Sequence, residues 1–385
     1  MERGPGRLPR RRRLVPGRRR HHRHERDGQQ RDRGDRVLTP PPSTATPVRP
    51  AQAVPGSGAS GAPARRRSRW LLPAVLAVVA LAVLSTFVGV ASVTPAALLR
   101  GDADAWQLLA VSRLPRTAAL ILVGVSLAVA GLVMQLLVRN RFVDPSTSGA
   151  VDASMLGLLA VMIVAPGMPV IGKMLVAALF ALAGTGLFLL LLSRMPLRSP
   201  ITVPLVGITF GGVLGAAGSF VAYEQDLIQS MLAWRTADFS GLLAGRYELL
   251  WVAAALAVVV WFLADRLTIA GLGQDAATGL GLSYRTVMIT GMVVVSLISA
   301  TVTATVGDVP FLGLIVPNVV SLLVGDHARR SVPWVALLGA GFLLLCDVIG
   351  RLVRYPYEVP LGVVVGVLGS AAFLYLLVKG SRRVG

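Results

Sequence analysis

The chain has 385 residues, of which 54% are hydrophobic, and its 38 Lys and Arg against 19 Asp and Glu give a formal net charge of +19. A mean hydropathy of +0.68 and many long apolar runs exclude an ordinary soluble domain. The charge does not indicate nucleic-acid binding, because residues 1–69 hold 19 Arg against 5 acidic residues and leave only +5 for the rest. The single cysteine, Cys346, lies in an apolar run and excludes a disulfide framework or a metal site built from thiols.

Residues 1–69 are rich in Arg, Pro, Gly and Ser and poor in apolar side chains. Such a segment cannot bury enough surface to offset the entropy of ordering it, so we predict a disordered cytoplasmic tail. A start codon assigned too far upstream is an alternative interpretation of this tail. The arginine cluster just before Trp70 favours a cytoplasmic amino terminus. His21, His22 and His24 are expected to be solvated rather than to bind a metal.

Residues 70–385 alternate apolar runs with short polar connections, which predicts an all-α, polytopic membrane domain of about ten transmembrane helices. Backbone polar groups in lipid need internal partners, so the runs must form a helical bundle. Several runs fall below the about 20 residues that a straight span requires, so their ends are approximate. The predicted spans lie near Leu71–Val90, Ala118–Val138, Ala153–Val164, Val170–Leu192, Val203–Tyr223, Leu249–Leu263, Val287–Thr305, Phe311–Val324, Val335–Val348 and Gly362–Val378.

Ten spans that begin inside place both termini in the cytoplasm. The predicted inner connections then carry more Lys and Arg than the outer ones, which agrees with the positive-inside rule.

The segment 306–326, VGDVPFLGLIVPNVVSLLVGD, is strongly apolar but is interrupted by glycine and proline. Proline removes a backbone donor and kinks a helix, so the freed carbonyls need partners on neighbouring helices or along a water-filled path. A helix that starts at Gly313 and stops before the next charged edge would be about 18 Å long, short of a hydrocarbon core of about 30 Å. This pattern is typical of a transport pathway. We assign pathway or gating roles to Pro310, Gly313, Pro317 and Asn318.

Motifs of catalysis are absent from the sequence. It contains no GxxxxGK[ST] phosphate-binding loop, no HExxH, no cysteine pair and no nucleophile elbow. We therefore expect a transport subunit rather than an enzyme, with no cofactor and no metal site.

Three segments carry a resemblance to a known family. They are SRLPRTAALILVGVSLAVAGLVMQLLVRNRFVDPSTSG at 112–149, VGDVPFLGLIVPNVVSLLVGDHARR at 306–330 and CDVIGRLVRYPYEVPLGVVVGVLGSAAFLYLL at 346–377. In this order and spacing they resemble the FecCD family of ABC-transporter permeases, which import iron–siderophore complexes, haem and vitamin B12. The resemblance covers about residues 70–383. It implies a type II ABC importer-like bundle of about ten transmembrane helices in a bacterial cytoplasmic membrane.

The resemblance also implies a set of partners. They are membrane lipid, a second permease subunit (a copy of this chain or a related one), two cytoplasmic ATPase subunits that hydrolyse ATP, and an extracytoplasmic substrate-binding protein. It implies that this binding protein docks on Arg113, Arg116 and Arg351 at the outer face, where planar guanidinium groups suit bidentate contacts with carboxylates. The alternatives are snorkelling of the first two arginines at the membrane interface and a local pair of Arg351 with Asp347.

The loop AGLGQDAATGLGLSYR at 270–285 resembles the segment through which the family couples to its ATPase. Glycines there would supply sharp turns at the ends of a short helix. A plain cytoplasmic connector is the alternative. The candidate coupling residues are Gly271, Gly273, Ala276, Ala277, Gly279 and Gly281.

The expected cargo is a ferric siderophore. PNVVSLLVGD, DFSGLLAGRYELL and CDVIGR resemble the branch that imports catecholate-type siderophores. Haem and vitamin B12 stay open as alternative cargoes. A secondary transporter driven by an ion gradient is a further alternative, which the position of nearly all charges at span ends disfavours. The third alternative is a membrane anchor or receptor whose active part is the arginine tail. The specific siderophore and the pairing of the permease with itself or a relative are not decided.

Overall fold

The computed structural model describes residues 70–89, 95–195, 202–245 and 247–381. The predicted tail of residues 1–69 lies outside this part of the chain. Within the described residues the chain is helical, without strands, and it contains ten helices of 13 or more residues, labelled α1 to α10. They are α1 Leu71–Phe87, α2 Leu114–Val138, α3 Ala150–Val164, α4 Val170–Ser193, α5 Thr202–Glu224, α6 Leu250–Gly271, α7 Tyr284–Val306, α8 Leu312–Val324, α9 Ala328–Leu352 and α10 Leu361–Ser381.

Short helical segments lie between the long ones. The helix Ala103–Leu108 continues through a π-helical turn, Leu109–Arg113, into α2. Further short helices are Pro95–Leu99, the 3-10 turn Ser146–Ser148, Ile228–Arg235 and Gln274–Gly279.

Six helical stretches in the described part of the chain are long and apolar enough to cross a membrane. They are Ala103–Val138, which contains α2, and the helices α4, α5, α6, α7 and α9. The helices α1, α3, α8 and α10 supply shorter apolar stretches. The predicted all-helical membrane architecture is therefore confirmed, and each predicted span overlaps one long helix. Ten complete crossings stay a prediction.

Two helices extend well beyond their predicted apolar spans. The span expected at Ala118–Val138 lies in a helical stretch that begins at Ala103, and the span expected at Val335–Val348 lies in α9. Both extensions carry charged residues, which hydropathy alone places outside a span. Arg116 in the first extension pairs with Asp347 of α9, and Arg351 in the second pairs with Asp347 within the same helix.

The helix α2 lies at the centre of the bundle. Nineteen of its 25 residues are buried, and it packs against α6, α7, α8 and α9. Its sequence is apolar on all sides, as expected for a helix that is surrounded by other helices rather than exposed on one face. This helix therefore fixes where its neighbours lie.

Glycines bring the neighbouring helices close to α2. A Cβ on Gly124 would lie 2.6 Å from the carbonyl oxygen of Gly339 on α9. A Cβ on Gly131 would overlap the carbonyl oxygen of Gly313 on α8. Small residues at such crossings let backbones approach closely, which is the main source of helix association in lipid. The two contacts therefore set the distances from α2 to α9 and α8.

The connection between α5 and α6 is hydrogen-bonded to the ends of other helices. The amide of Asp308, which follows α7, donates to the carbonyl of Trp234 at 2.9 Å. The amide of Gly362 on α10 donates to the carbonyl of Ala237 at 3.1 Å. This connection thus holds the start of α10 and the α7–α8 loop together.

The Gly131 contact predicts a position-specific effect of one methyl group. Gly131→Ala should lower the free energy of unfolding by about 1–3 kcal/mol, because the α2–α8 backbones must move apart. Gly212→Ala is the matched control, since a Cβ on Gly212 of α5 meets no atom within 4 Å. Thermal unfolding of the purified proteins in detergent measures both. Equal unfolding temperatures for the two variants would contradict the close contact.

Candidate functional site

The entry to α8 is a tight turn. Pro310 accepts a hydrogen bond on its carbonyl from the amide of Leu312 at 2.9 Å. Phe311 caps the helix with φ 64°, a left-handed conformation that is rare for an aromatic residue. Gly369 on α10 leaves room for it, because a Cβ at that position would lie 3.0 Å from the Phe311 Cβ. The predicted pathway residue Pro310 thus belongs to a constrained turn between α7 and α8.

Pro317 interrupts the hydrogen bonds inside α8. It has no N–H, so the carbonyl of Gly313, four residues earlier, loses its helical donor. Gln135 on α2 replaces that donor, since its Nε2 lies 3.3 Å from the Gly313 oxygen and 3.3 Å from the Leu314 oxygen. Gly131, four residues before Gln135, permits the approach. The freed carbonyl therefore finds its partner on a neighbouring helix, which was one of the two possibilities expected from the sequence.

Asn318 ties α8 to the connection between α2 and α3. Its Nδ2 donates to the carbonyl of Leu314 at 2.7 Å and to the carbonyl of Arg141 at 2.6 Å. The guanidinium of Arg141 pairs with Asp326 at 2.6 Å, and the hydroxyl of Ser321 donates to the same carboxylate. The carboxyl-terminal half of α8 is thus held to residues that follow α2.

A small cavity, with room for about one water molecule, lies beside the amino-terminal end of α8. Its lining includes Leu127, Thr303 and Gly313 together with two acids, Asp144 and Asp308. The four predicted pathway residues lie close together along the chain, but of these four only Gly313 lines this cavity.

The two cavity acids differ in their hydrogen bonds. Asp144 is buried, and its carboxylate accepts from the Ser146 hydroxyl at 2.7 Å and from the Thr147 amide at 2.9 Å. Asp308 is half-buried, and within the described ranges its carboxylate accepts no hydrogen bond. No sequence pattern indicated this pair, because the two acids lie in connections far apart along the chain.

Burial raises the pKa of both acids. It outweighs the hydrogen bonds to Asp144 and raises the pKa of that carboxyl above its usual range. For Asp308, burial and then the neighbouring carboxylates of Asp144 and Asp152 raise the pKa to about 7, against the opposing charge of Arg235. Asp152 and Arg235 form an ion pair at 3.2 Å. The cavity therefore holds a carboxyl group that is partly protonated near neutral pH.

Two of the three arginines expected to dock a binding protein, Arg116 and Arg351, share an ion-pair network, and Arg113 and Arg351 both donate to the Val88 carbonyl. Arg116 pairs with Asp347 at 2.8 Å and with Glu358 at 2.7 Å. Arg351 pairs with Asp347, as the alternative interpretation of a local pair expected. Its Nη1 also donates to the carbonyl of Val88 at 2.6 Å. The network joins the end of α1 to α2, α9 and the α9–α10 connection.

This network leaves little of the arginines exposed. Arg113 is 8% exposed and donates to the carbonyl of Val88 at 3.0 Å, and Arg351 is 3% exposed. The Arg116 side chain is 11% exposed and that of Glu358 is 27% exposed. The structure places the three arginines close together and largely beneath the surface. Their role in docking stays a prediction.

The predicted coupling loop contains the expected short helix, Gln274–Gly279. Gly273 precedes it with φ 114°, and Gly281 follows with φ 75°, both conformations that favour glycine. Ala277 is buried beneath the helix and Ala276 is exposed on it. The other two candidate glycines end helices, Gly271 at the end of α6 and Gly279 at the end of the short helix. A role of this loop in coupling stays a prediction.

Comparison with known proteins relates the chain to permeases. Residues 74–379 match the FecCD transport family. The petrobactin import system permease protein YclN of Bacillus subtilis (strain 168) is 42% identical over 78% of this chain and 95% of that protein. The ferric-anguibactin transport system permease protein FatD of Vibrio anguillarum is 37% identical over 80% of this chain and 98% of that protein.

One solved structure shares the fold. It is a metal-chelate type ABC transporter in an inward-facing conformation, with a TM-score of 0.69 and 24% identity over 81% of this chain and 99% of that one.

The bond between Gln135 and the Gly313 carbonyl predicts a non-additive pair of substitutions. Gln135→Leu should lower the free energy of unfolding by about 1–3 kcal/mol, because it leaves a buried carbonyl without a donor. The same change should cost clearly less in a Pro317→Ala background, where residue 317 can donate its own N–H. Thermal unfolding of the four proteins in detergent measures this cycle. Equal losses in both backgrounds would show that Gln135 does not replace the missing donor.

Proposed function

The chain belongs to the FecCD transport family, and we propose that it is the membrane-spanning permease subunit of an ABC importer for ferric siderophores of the petrobactin and anguibactin class. The observation that carries this proposal is the 42% identity to a petrobactin permease over 95% of that protein's length. The matched region, residues 74–379, takes in all but the ends of the described membrane domain. The ferric complex is the cargo.

The importer needs other chains. The sequence contains no phosphate-binding loop, which supports ATP hydrolysis by two separate cytoplasmic ATPase subunits. A second permease subunit would complete the central path, and an extracytoplasmic binding protein would deliver the ferric siderophore. The assembly would lie in the bacterial cytoplasmic membrane with both termini of this chain in the cytoplasm.

All ten long helices would take part in crossing the membrane. The six long apolar stretches can cross alone, whereas α1, α3, α8 and α10 supply the shorter ones. A short helix is stable at membrane depth only where other protein or a water-filled cavity covers its ends. The cavity beside the start of α8 and the Gln135 contact meet this condition.

Transport would proceed by alternating access. ATP binding and hydrolysis in the partner chains would displace the Gln274–Gly279 helix, and the bundle would rearrange around α8. Gly313, Pro317 and Asn318 would form the moving or lining part of this helix, and Pro310 would form the turn before it. The irregular backbone of α8 suits this role, because its bonds to α2 come from side chains that can exchange partners.

A secondary transporter driven by an ion gradient is the second candidate. Asp144 and Asp308 favour it, because ionisable groups inside a bundle are typical of proton or cation coupling. The family match favours the ABC importer. Collapse of the membrane ion gradient at constant ATP separates the two, since it should stop only the secondary transporter.

The proposed cargo leads to a prediction about uptake. Deletion of the gene in its native host should abolish accumulation of ⁵⁵Fe supplied as ferric petrobactin or ferric anguibactin, and the gene should restore it. Uptake of a ferric hydroxamate, ferric citrate, haem and labelled vitamin B12 in the same cells provides the comparison. Selective loss of vitamin B12 or haem uptake would identify that compound as the cargo instead. If no uptake is lost in a host that has no second importer, the proposed cargo is refuted.

A further prediction concerns docking of the binding protein on Arg113, Arg116 and Arg351. Glu358 neutralises Arg116 at the edge of the network, so Glu358→Gln should free positive charge without opening the Asp347–Arg351 pair. If acidic groups of the binding protein contact these arginines, its affinity should rise about threefold to tenfold at low salt and less at high salt.

The control for docking is Glu248→Gln, an exposed acid in the α5–α6 connection, on the same predicted outer side. It should leave the affinity unchanged. Binding to the detergent-solubilised complex measures all three proteins. An affinity for Glu358→Gln equal to wild type, or lower, would refute docking through the arginines.

A further inference from the structure

Arg139, which ends α2, has a backbone conformation that does not favour arginine. Its φ of 54° and ψ of 37° are left-handed. The helix closes over it, because the amide of Asn140 donates to the carbonyl of Gln135 at 3.0 Å. Glycine is the usual residue at such a helix end, since it has no Cβ to strain. The turn itself therefore does not need the arginine, and a reason for it must lie in the side chain.

The Arg139 side chain lies against the predicted coupling loop. A Cβ on Gly273, just before the Gln274–Gly279 helix, would lie 2.9 Å from Nη1 of Arg139. Gly271, two residues earlier, packs on the last turn of α2, where a Cβ would lie 3.4 Å from Cδ2 of Leu136. The loop and the end of α2 thus lie close together at two points, and the exposed Arg139 side chain is in the way of a displacement of the short helix toward α2.

The end of α2 is in turn bonded to α8. Gln135, one turn before Arg139, donates to the carbonyls of Gly313 and Leu314. Arg141, two residues after it, accepts from Asn318 of α8 at 2.6 Å. Arg139 therefore lies between the two residues through which this part of α2 holds α8.

We propose that Arg139 transmits displacement of the Gln274–Gly279 helix to α2 and, through Gln135 and Arg141, to α8. This inference rests on the proposed ABC importer function. Arg139 is a positioning residue in it, since it contacts neither ATP nor cargo. A solvated charge at the end of a helix would have none of the consequences that follow.

Arg139→Gly is the informative variant, because glycine suits the left-handed turn while the transmitting side chain is lost. Its unfolding temperature in detergent should equal or exceed that of wild type. In liposomes that contain this chain with its ATPase and binding protein, ATP hydrolysis should continue, while ⁵⁵Fe-petrobactin taken up per ATP falls about fivefold. Arg139→Lys should restore part of the ratio. Arg194→Ala, at an exposed arginine after α4, is the control and should leave it unchanged.

A second measurement needs no cargo. Spin labels at Leu322 on α8 and at Phe262 on α6, both exposed, report the position of α8. In wild type, ATP binding should change the distance between the labels, and in Arg139→Gly this change should be lost. Absence of petrobactin uptake in wild type would count against the proposed function alone. Transmission through Arg139 would be refuted if Arg139→Gly kept the wild-type uptake per ATP. It would also be refuted if ATP binding changed the distance between the labels in Arg139→Gly as much as in wild type.

Discussion

One backbone carbonyl, which a proline deprives of its helical donor, organises the centre of this bundle. A proline inside a helix at membrane depth leaves a backbone oxygen that water cannot reach, and such a group costs several kcal/mol unless protein supplies a donor. Pro317 creates this demand at Gly313, and Gln135 meets it. The bond is possible only because Gly131 lets α2 and α8 approach closely. The buried position of α2, the short length of α8 and the cavity at its start all accompany this contact.

The charges inside the membrane domain are distributed unequally. Arg116 and Arg351 share the buried carboxylate of Asp347, so the desolvation of each charge is offset by a partner of opposite sign. The cavity beside α8 has the reverse balance, since burial and then carboxylates that outnumber the nearby arginine raise the pKa of Asp308 to about 7. One region is therefore suited to hold helices together and the other to change its charge.

Contacts run without interruption from the predicted coupling loop to the predicted gating helix. The Arg139 guanidinium lies beside Gly273, and Gln135 and Arg141, four residues before and two after Arg139, bond to α8. In a permease that does not hydrolyse ATP itself, such a connection is a mechanical requirement, because the energy enters at one surface and is used inside the membrane.

The sequence alone determined the all-helical membrane class, the family, the interrupted helix and the short helix of the coupling loop, because apolar runs, prolines and glycines act locally. It also grouped Arg113, Arg116 and Arg351 through family resemblance. Only the tertiary structure decided that these arginines are buried. Arg116 pairs with Asp347 and Glu358, which belong to other elements than α2, and Arg113 and Arg351 both donate to the Val88 carbonyl after α1. The tertiary structure alone brought Asp144 to Asp308 and Arg139 to Gly273, because hydropathy and local spacing carry no information about which distant connections meet.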